Sequence, residues 1–481
     1  MKIKPTKIIG LQIADFDNLV NSGEEIHLRP ARLLNFHKPG DELAITSIFL
    51  SGIKLIKEFR RNIFNQIKLT NSNSIRFYSE IQFVLFDNLR IDGLILIIKS
   101  NKIVDAILIE VKNKKNELDE AQLTFYLKIA KEYKVPNFLT ISNQFVNFPT
   151  QSPLNIKVPG QISLYHLSWT YILTASYLLL ANNEINIENH DQKELMKEMV
   201  SYFESKESGI IGLTQVKQGW IELTQKINTK IKFKSTEAFV VDTVSSWIQI
   251  ERCMALALSR ELLTLVESGK RKFKDDLRGR LIFEQKELTE NFCLESIYKV
   301  DGAASQLKLS AHFDTKTIEY MVELSAPSDK GNRGKITWIK KQLEKSKTKN
   351  EVLFNQIKEN IFIEINYKFS SNPIKIKLLE IDSVEDQLSD KEITGFKIMY
   401  ILSLSQKFEG RKIILELIEQ NLMKFYQGVV QHLKKWEKPA PKILKKNNLN
   451  NLDEFQSDND NSSTFDDKVG NVLTNWKKKE N

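Results

Sequence analysis

The chain has 481 residues, which predicts two or three domains, and its apolar content of 41% excludes a largely disordered protein. The net charge of +9 is compatible with a polyanionic partner, although a composition rich in Lys and Asn produces the same excess. Two cysteines exclude a disulfide framework and a four-thiolate zinc site, and the absence of a signal-like start or a membrane-length apolar run predicts a cytoplasmic protein without a membrane partner.

Regular structure is predicted to begin after a lead-in of short strands and turns at residues 1–40. Asp41 is a candidate N-cap for a helix that runs to about residue 67. A strand with alternating apolar and polar side chains is predicted at 76–86. Each element offers a carboxylate. Glu58 lies on the polar face of the helix, where solvation is the simpler interpretation, and Glu80 lies on the strand, where it either joins a site or faces solvent.

Two apolar runs, 94–98 and 104–111, are rich in Ile, Leu and Val and flank a short polar turn, so they predict a hairpin of buried strands. Asp92 stands just before the first strand. Because side chains alternate along a strand, Glu110 and Lys112 are expected on the same side at the end of the second strand. A carboxylate and an ammonium in this position indicate either a functional site or a surface ion pair.

A helix is predicted over 117–133, because apolar residues recur there at helical spacing and form one stripe. Gln122 falls inside that stripe, so its amide is predicted to point toward the charged residues at the strand end. The alternative is a buried amide that backbone groups satisfy. A further strand is predicted at 138–142.

The predicted order of helix, three strands, helix and strand resembles the PD-(D/E)xK nuclease superfamily, whose restriction-endonuclease-like α/β fold occurs in many restriction enzymes, Holliday-junction resolvases and RecB-type nucleases. The resemblance is carried by Asp92, the triplet Glu110-Val111-Lys112, and Gln122. It covers about residues 41–150, under a quarter of the chain. Ile91 stands where the superfamily usually has a proline.

The resemblance implies a catalytic set of Asp92, Glu110, Lys112 and Gln122. An Asp and a Glu hold a divalent metal in the superfamily, so Asp92 and Glu110 would hold Mg²⁺ or Mn²⁺, and Glu80 is the preferred extra carboxylate. Lys112 would orient or activate the attacking water. The residue chemistry agrees with these roles, because hydrolysis of a phosphodiester needs a hard cation with oxygen ligands, an activated water and stabilisation of charge on the phosphate.

Beyond this nuclease-like domain at 41–160, the pattern predicts a helical subdomain at 161–230. A C-terminal α+β domain is predicted at 231–437, with a long helix at 237–269 and a closing helix at 411–436. Its predicted strands are 307–313, 317–324, 361–369, 374–381 and 395–404. The polar tail at 438–481 is predicted to be disordered.

A polar loop with two glycines at 326–334 leads into a basic segment at 335–349. The candidate nucleic-acid-binding side chains there are Arg333, Lys335, Lys340 and Lys341. A flexible loop that enters a basic helix can hold phosphates through backbone amides and cations. The alternative is a solvated basic helix that follows a glycine turn.

The sequence therefore predicts a hydrolase, namely a metal-dependent nuclease of the endonuclease or exonuclease type that acts on DNA in defence, repair or mobile-element biology. RNA is a further option for the substrate. The rival prediction is a non-catalytic DNA-binding or assembly protein that retains the nuclease fold. The C-terminal domain is a candidate surface for a homo-oligomer or for a protein partner.

Overall fold

The computed structural model describes residues 5–30, 40–70, 74–181, 187–370, 372–388 and 390–437. The tail predicted to be disordered, 438–481, lies outside the described residues. Residues Met1–Trp436 form one compact unit that contains two β-sheets with helices packed against them, so the predicted mixed α/β class is confirmed. Within the described ranges, no helix is both long enough and apolar enough to cross a bilayer.

In the described part of the chain, the first sheet has six strands that lie side by side in sequence order. They are β1 (Ile26–Pro30), β2 (Ser74–Phe83), β3 (Leu89–Lys99), β4 (Lys102–Val111), β5 (Asn137–Ser142) and β6 (Ser163–Ser168). Strands β1 to β4 are antiparallel, whereas β5 and β6 run parallel to β4. The carboxyl ends of β4, β5 and β6 therefore meet at one edge of the sheet, next to the start of β3.

Helices cover both faces of this sheet. They are α1 (Ile13–Ser22), α2 (Glu42–Leu55), α3 (Lys57–Gln66), α4 (Glu120–Glu132), α5 (Trp169–Ala181) and α6 (His190–Glu204). Ile107 and Ile109 of β4 pack with α2, α3, α5 and α6, whereas Ala106 and Leu108 pack with α1 and α4. Successive residues alternate between two apolar cores, so even-numbered positions near the end of β4 face α4.

Three predicted elements of this half differ from the structure. The single helix predicted at 41–67 is broken at Ile56, whose backbone is extended, because the next amide, that of Lys57, donates to Gln192 Oε1 at 2.9 Å instead of to a helical carbonyl. Strand β2 ends at Phe83, where a short 3₁₀ turn replaces the predicted end at Phe86.

The helical pattern predicted from residue 163 begins later. Ser163–Ser168 is strand β6, since its backbone pairs with β5 over the full length of both strands. Helix α5 starts only at Trp169. The first sheet thus extends beyond the predicted domain boundary at 160.

The second sheet is antiparallel and has seven strands among the described residues, in the order β12-β11-β13-β10-β9-β8-β7. They are β7 (Glu267–Ser268), β8 (Cys293–Lys299), β9 (Leu307–His312), β10 (Thr317–Ser325), β11 (Ile361–Tyr367), β12 (Ile374–Lys377) and β13 (Ile393–Ser403). The helices that follow the first sheet in the chain are α7 (Gly219–Asn228), α8 (Ala238–Leu262), α9 (Leu277–Asn291), α10 (Asn332–Lys349), α11 (Glu351–Ile357) and α12 (Ile413–Gly428). One apolar core joins these helices to one face of the sheet.

All five strands predicted in this half are present, but the one predicted at 374–381 ends at Lys377, where a 3₁₀ segment begins. Strands β7 and β8 and helices α9 and α11 were not predicted. The long helix ends at Leu262 instead of residue 269, because Leu263 adopts a left-handed conformation (φ 52°) and Ser259 Oγ accepts a hydrogen bond from Val266 N at 2.9 Å. The chain can then turn into β7. The closing helix ends at Gly428.

Candidate active site

Asp92 lies near the start of β3, at an irregular step of the β2–β3 pair. Regular pairing holds at Ser79 with Gly93 and at Ile81 with Ile91, and Glu80 between them has a positive φ of 56°. The carboxylate of Asp92 accepts a hydrogen bond from the backbone N–H of Val111 at 2.7 Å. This bond fixes Asp92 against the last residue of β4.

Glu110 and Lys112 lie on the same side of the strand end, as strand alternation predicts. Lys112 Nζ is 2.7 Å from Glu110 Oε1, and the exposed fractions of the Lys112 and Glu110 side chains are 15% and 4%. The backbone of Lys112 is held by two further bonds, because its N–H donates to Ile141 O at 2.8 Å and its carbonyl accepts from Trp169 Nε1 at 3.0 Å. The structure therefore brings Asp92, Glu110 and Lys112 together at one edge of the sheet.

Burial and neighbouring acids raise the pKa values of both carboxyl groups. Burial raises the pKa of Asp92 to about 6, and the charges of Glu42 and Glu80 add to this effect. Burial and then the charge of Asp92 raise the pKa of Glu110 to about 9. At neutral pH the pair therefore retains one proton, which it shares as a coupled unit.

Lys112 remains charged in this setting. Burial disfavours its ammonium form, but Glu110, Glu42 and Asp92 together raise its pKa above the ordinary value. The site thus combines a fixed cation with two crowded acids. This is a charge arrangement that a second cation would relieve.

Glu42, which the sequence analysis did not single out, is part of this cluster. It occupies the first turn of α2, and its Oε2 lies 3.8 Å from Lys112 Nζ. Its Oε1 accepts hydrogen bonds from Asn113 N at 3.3 Å and from Asn116 Nδ2 at 2.8 Å. The only signal in the sequence was its position beside the predicted N-cap Asp41. The acid considered on the predicted first helix, Glu58, lies on α3 and is not among the charges that act on Asp92.

Glu80 lies near the site but has its own partner. Its side chain is almost fully buried, with 8% exposed, and its Oε2 is 2.6 Å from Arg90 Nη1. Its charge contributes to the raised pKa of Asp92. Glu80 therefore adds negative potential to the site, while Arg90 neutralises part of it.

Gln122 reaches the site through a second residue, Tyr126. Its Nε2 donates to the Tyr126 hydroxyl at 2.7 Å, and that hydroxyl donates to the carbonyl of Arg90 at 3.0 Å. Burial, followed by the charges of Glu110 and Asp92, raises the pKa of Tyr126 above its ordinary value. In the described part of the chain, Gln122 makes no hydrogen bond to Glu110 or Lys112, so the tyrosine is the nearer group. The stripe pattern had identified Tyr126 only as an apolar position.

The basic segment differs from its prediction at two positions. Lys335 is buried at 2% exposure, and its Nζ donates to Ile393 O at 2.8 Å and lies 3.2 Å from Glu392 Oε1, so it is a structural residue of α10 and not a free phosphate ligand. Lys340 lies 3.2 Å from Asp382 Oδ1. Arg333 and Lys341 are exposed, as a nucleic-acid contact would require.

A divalent cation fits the donor set at the centre of the site. Mg²⁺ is usually held by one or two carboxylates and retains several waters or substrate oxygens, so Asp92 and Glu110 are sufficient protein ligands. Their raised pKa values follow first from burial and then from nearby negative charge, which a bound cation would compensate. Among the described residues, no group of three or more His, Cys, Asp and Glu side chains has the arrangement of a metal site.

Comparisons of the chain with protein-family models, with curated proteins and with solved structures gave no match.

Proposed function

We propose that the protein is a metal-dependent nuclease whose first sheet is the core of a PD-(D/E)xK enzyme. The observation that supports this proposal most directly is the convergence of Asp92, Glu110 and Lys112. Asp92 Oδ2 lies 2.7 Å from the backbone nitrogen of Val111 at the end of β4, and Lys112 Nζ lies 2.7 Å from Glu110 Oε1. The order α2 and α3, β2, β3, β4, α4, β5 also agrees with the order that the resemblance implies.

Each residue of the candidate site has its own role in the proposed reaction. Asp92 and Glu110 would hold Mg²⁺ or Mn²⁺, which supplies a Lewis acid that lowers the pKa of bound water and polarises the phosphate. Lys112 provides a cation and hydrogen-bond donors that orient the water and stabilise charge on the phosphate. Glu42 lies 3.8 Å from Lys112 Nζ and is, after Glu110, one of the charges that raise the pKa of Lys112. Gln122 positions Tyr126 against the start of β3.

DNA is the proposed substrate. The net charge of +9 favours association with a polyanion, and the exposed side chains of Arg333, Lys341 and Lys345 on α10 provide cations for phosphate contacts. Contacts of this kind add affinity without sequence preference, so they would serve a nuclease that recognises the backbone.

The test is cleavage of plasmid, linear and single-stranded DNA and of RNA, in Mg²⁺, in Mn²⁺ and in EDTA. The wild type is expected to cleave DNA only with metal. Asp92→Ala and Glu110→Ala are expected to abolish cleavage while DNA binding persists, because removing an anion does not weaken attraction to phosphate.

Lys112→Ala should reduce the cleavage rate by about a hundred- to a thousandfold, the range for loss of an electrostatic catalytic group. Lys115→Ala, which removes an exposed cation from the same loop, is the matched control and should retain full activity. Full metal-dependent activity in Lys112→Ala would refute the assignment. A wild type that binds DNA but cleaves none of these substrates would establish the non-catalytic binding protein instead.

A further inference from the structure

A cavity separate from the proposed catalytic residues lies between the first sheet and helices of the second half. Its volume is about 320 Å³. Gln144 and Phe145, which follow β5, form one wall, and residues of the 213–217 segment, α8 and α9 form the other. Asp92, Glu110 and Lys112 do not line it. The volume lies at the small end of the range for small-molecule sites, about 300 to 1,000 Å³, so it fits one compact ligand.

The cavity has the charge of an anion-binding site. Lys217 and Arg411 line it, and the acid on its wall, Glu117, is exposed. Lys217 Nζ also lies 3.4 Å from Asp242 Oδ1, in an exposed pair that leaves ammonium hydrogens for a ligand. Arg411 is fixed through two bonds with Val216: its Nε donates to Val216 O at 2.8 Å, and its carbonyl accepts from Val216 N at 3.0 Å. Among the described residues its two Nη groups have no hydrogen-bond or ion-pair partner, and a guanidinium presented in this way suits the bidentate binding of phosphate.

Other lining groups suit a planar ring with hydrogen-bonding edges. Three glutamines, Gln144, Gln215 and Gln249, are among the residues that line the cavity, beside Phe145 and Leu281. Side-chain amides carry both hydrogen-bond donors and acceptors, so they can bond to the edges of such a ring.

We infer that this cavity binds a nucleotide of the size of a nucleoside monophosphate, with its phosphate on Arg411 and Lys217 and its base among the amides and apolar side chains. The chemistry is the same for a free nucleotide and for the terminal nucleotide of a strand. The inference concerns binding alone and does not depend on the nuclease proposal.

The experiment is calorimetric titration of the full-length protein in EDTA, so that no cleavage occurs. The ligands are the common ribonucleoside and deoxyribonucleoside monophosphates, the matching nucleosides, inorganic phosphate and 5′-phosphorylated dinucleotides. At least one monophosphate is expected to bind with a stoichiometry of one. Its nucleoside and inorganic phosphate should each bind at least tenfold more weakly. A dinucleotide that binds more tightly identifies a strand end as the source of the ligand, and one that binds equally or more weakly identifies the free nucleotide.

Arg411→Gln and Lys217→Gln should each weaken this binding at least tenfold, because each removes a charged partner of the phosphate. Lys412→Gln removes the neighbouring exposed cation outside the cavity and should leave the affinity unchanged. If Arg411→Gln does not fold, the Lys217→Gln variant still tests the inference, because Lys217 is exposed. No binding of any monophosphate at millimolar concentration, or wild-type affinity in the folded variants, would overturn the inference.

Discussion

Glu110→Gln is expected to make the metal-free protein more stable at neutral pH, even though it removes a residue of the proposed active site. In the folded protein the pKa of Glu110 is raised from 4.5 to about 9, so the folded state holds a proton that the unfolded chain releases. The stability that this proton provides is complete below pH 4.5 and is lost as the pH rises through 9. Glutamine resembles the protonated acid and cannot ionise, so the variant escapes this loss.

The magnitude follows from the shift. The 2.5 pH units between the ordinary pKa of 4.5 and pH 7, at 1.36 kcal/mol each, correspond to about 3 kcal/mol of unfolding free energy. At pH 5 the same reasoning leaves less than about 1 kcal/mol. The introduced glutamine would still have a carbonyl oxygen to accept the bond from Lys112 Nζ.

Urea denaturation in EDTA at pH 5 and pH 7 measures this difference. Glu117→Gln, which removes an exposed carboxylate from the loop after β4, is the matched control and should change stability little at either pH. Added Mg²⁺ should raise the stability of the wild type but not that of the variant, because only the wild type retains both carboxylate ligands. The reasoning would be refuted if Glu110→Gln were no more stable than the wild type at pH 7. It would also be refuted if the difference in unfolding free energy between variant and wild type were the same at pH 5 and pH 7.

Two further predictions concern the neighbours of the site and the basic helix. Glu42→Gln should lower the pKa of Lys112, because Glu42 is one of the charges that raise it. The alkaline limb of the pH–rate profile should therefore move to lower pH. A limb that does not move would exclude Glu42 from the site. Replacing Lys341 and Lys345 together by Ala should weaken DNA binding and reduce the slope of log affinity against log salt by about 2, at roughly 0.9 per lost phosphate contact. Lys286→Ala on α9 is the control for this experiment, and an unchanged slope in the double variant would point to a solvated face or a protein partner.

Local periodicity was enough to predict the centre of the site. Strand alternation alone placed Glu110 and Lys112 on the same side, and helical spacing placed Gln122 on the face of α4 that packs on the sheet. These relations hold within a few residues of the chain, where backbone geometry determines direction. The same reasoning identified most of the strands of both sheets.

Periodicity in the sequence could not predict contacts between segments that are distant along the chain. Glu42 meets Lys112 only because the start of α2 packs beside the end of β4, which depends on the crossing of a helix and a sheet. Lys335 is buried because β13 begins beneath α10 and offers it the carbonyl of Ile393. In a sequence, both residues look like ordinary charged positions of a helix. Only the tertiary structure separates a surface charge from a paired one.

The raised pKa values of Asp92 and Glu110 show that burying these two acids has a cost in folding free energy. Two crowded, buried acids oppose folding at neutral pH, so the surrounding structure must hold them in place. Asn113 contributes to this, because its Nδ2 donates to Gly40 O at 3.2 Å and to Ser208 O at 2.6 Å and so ties the loop after β4 to two other segments. Trp169 holds the carbonyl of Lys112 from α5. These bonds fix the backbone, while the proton that the pair retains at neutral pH keeps Asp92 and Glu110 from both being charged. In the proposed nuclease, a divalent cation would displace this proton and compensate the charge of both carboxylates, so metal affinity should increase as the pH rises and the proton is lost more easily.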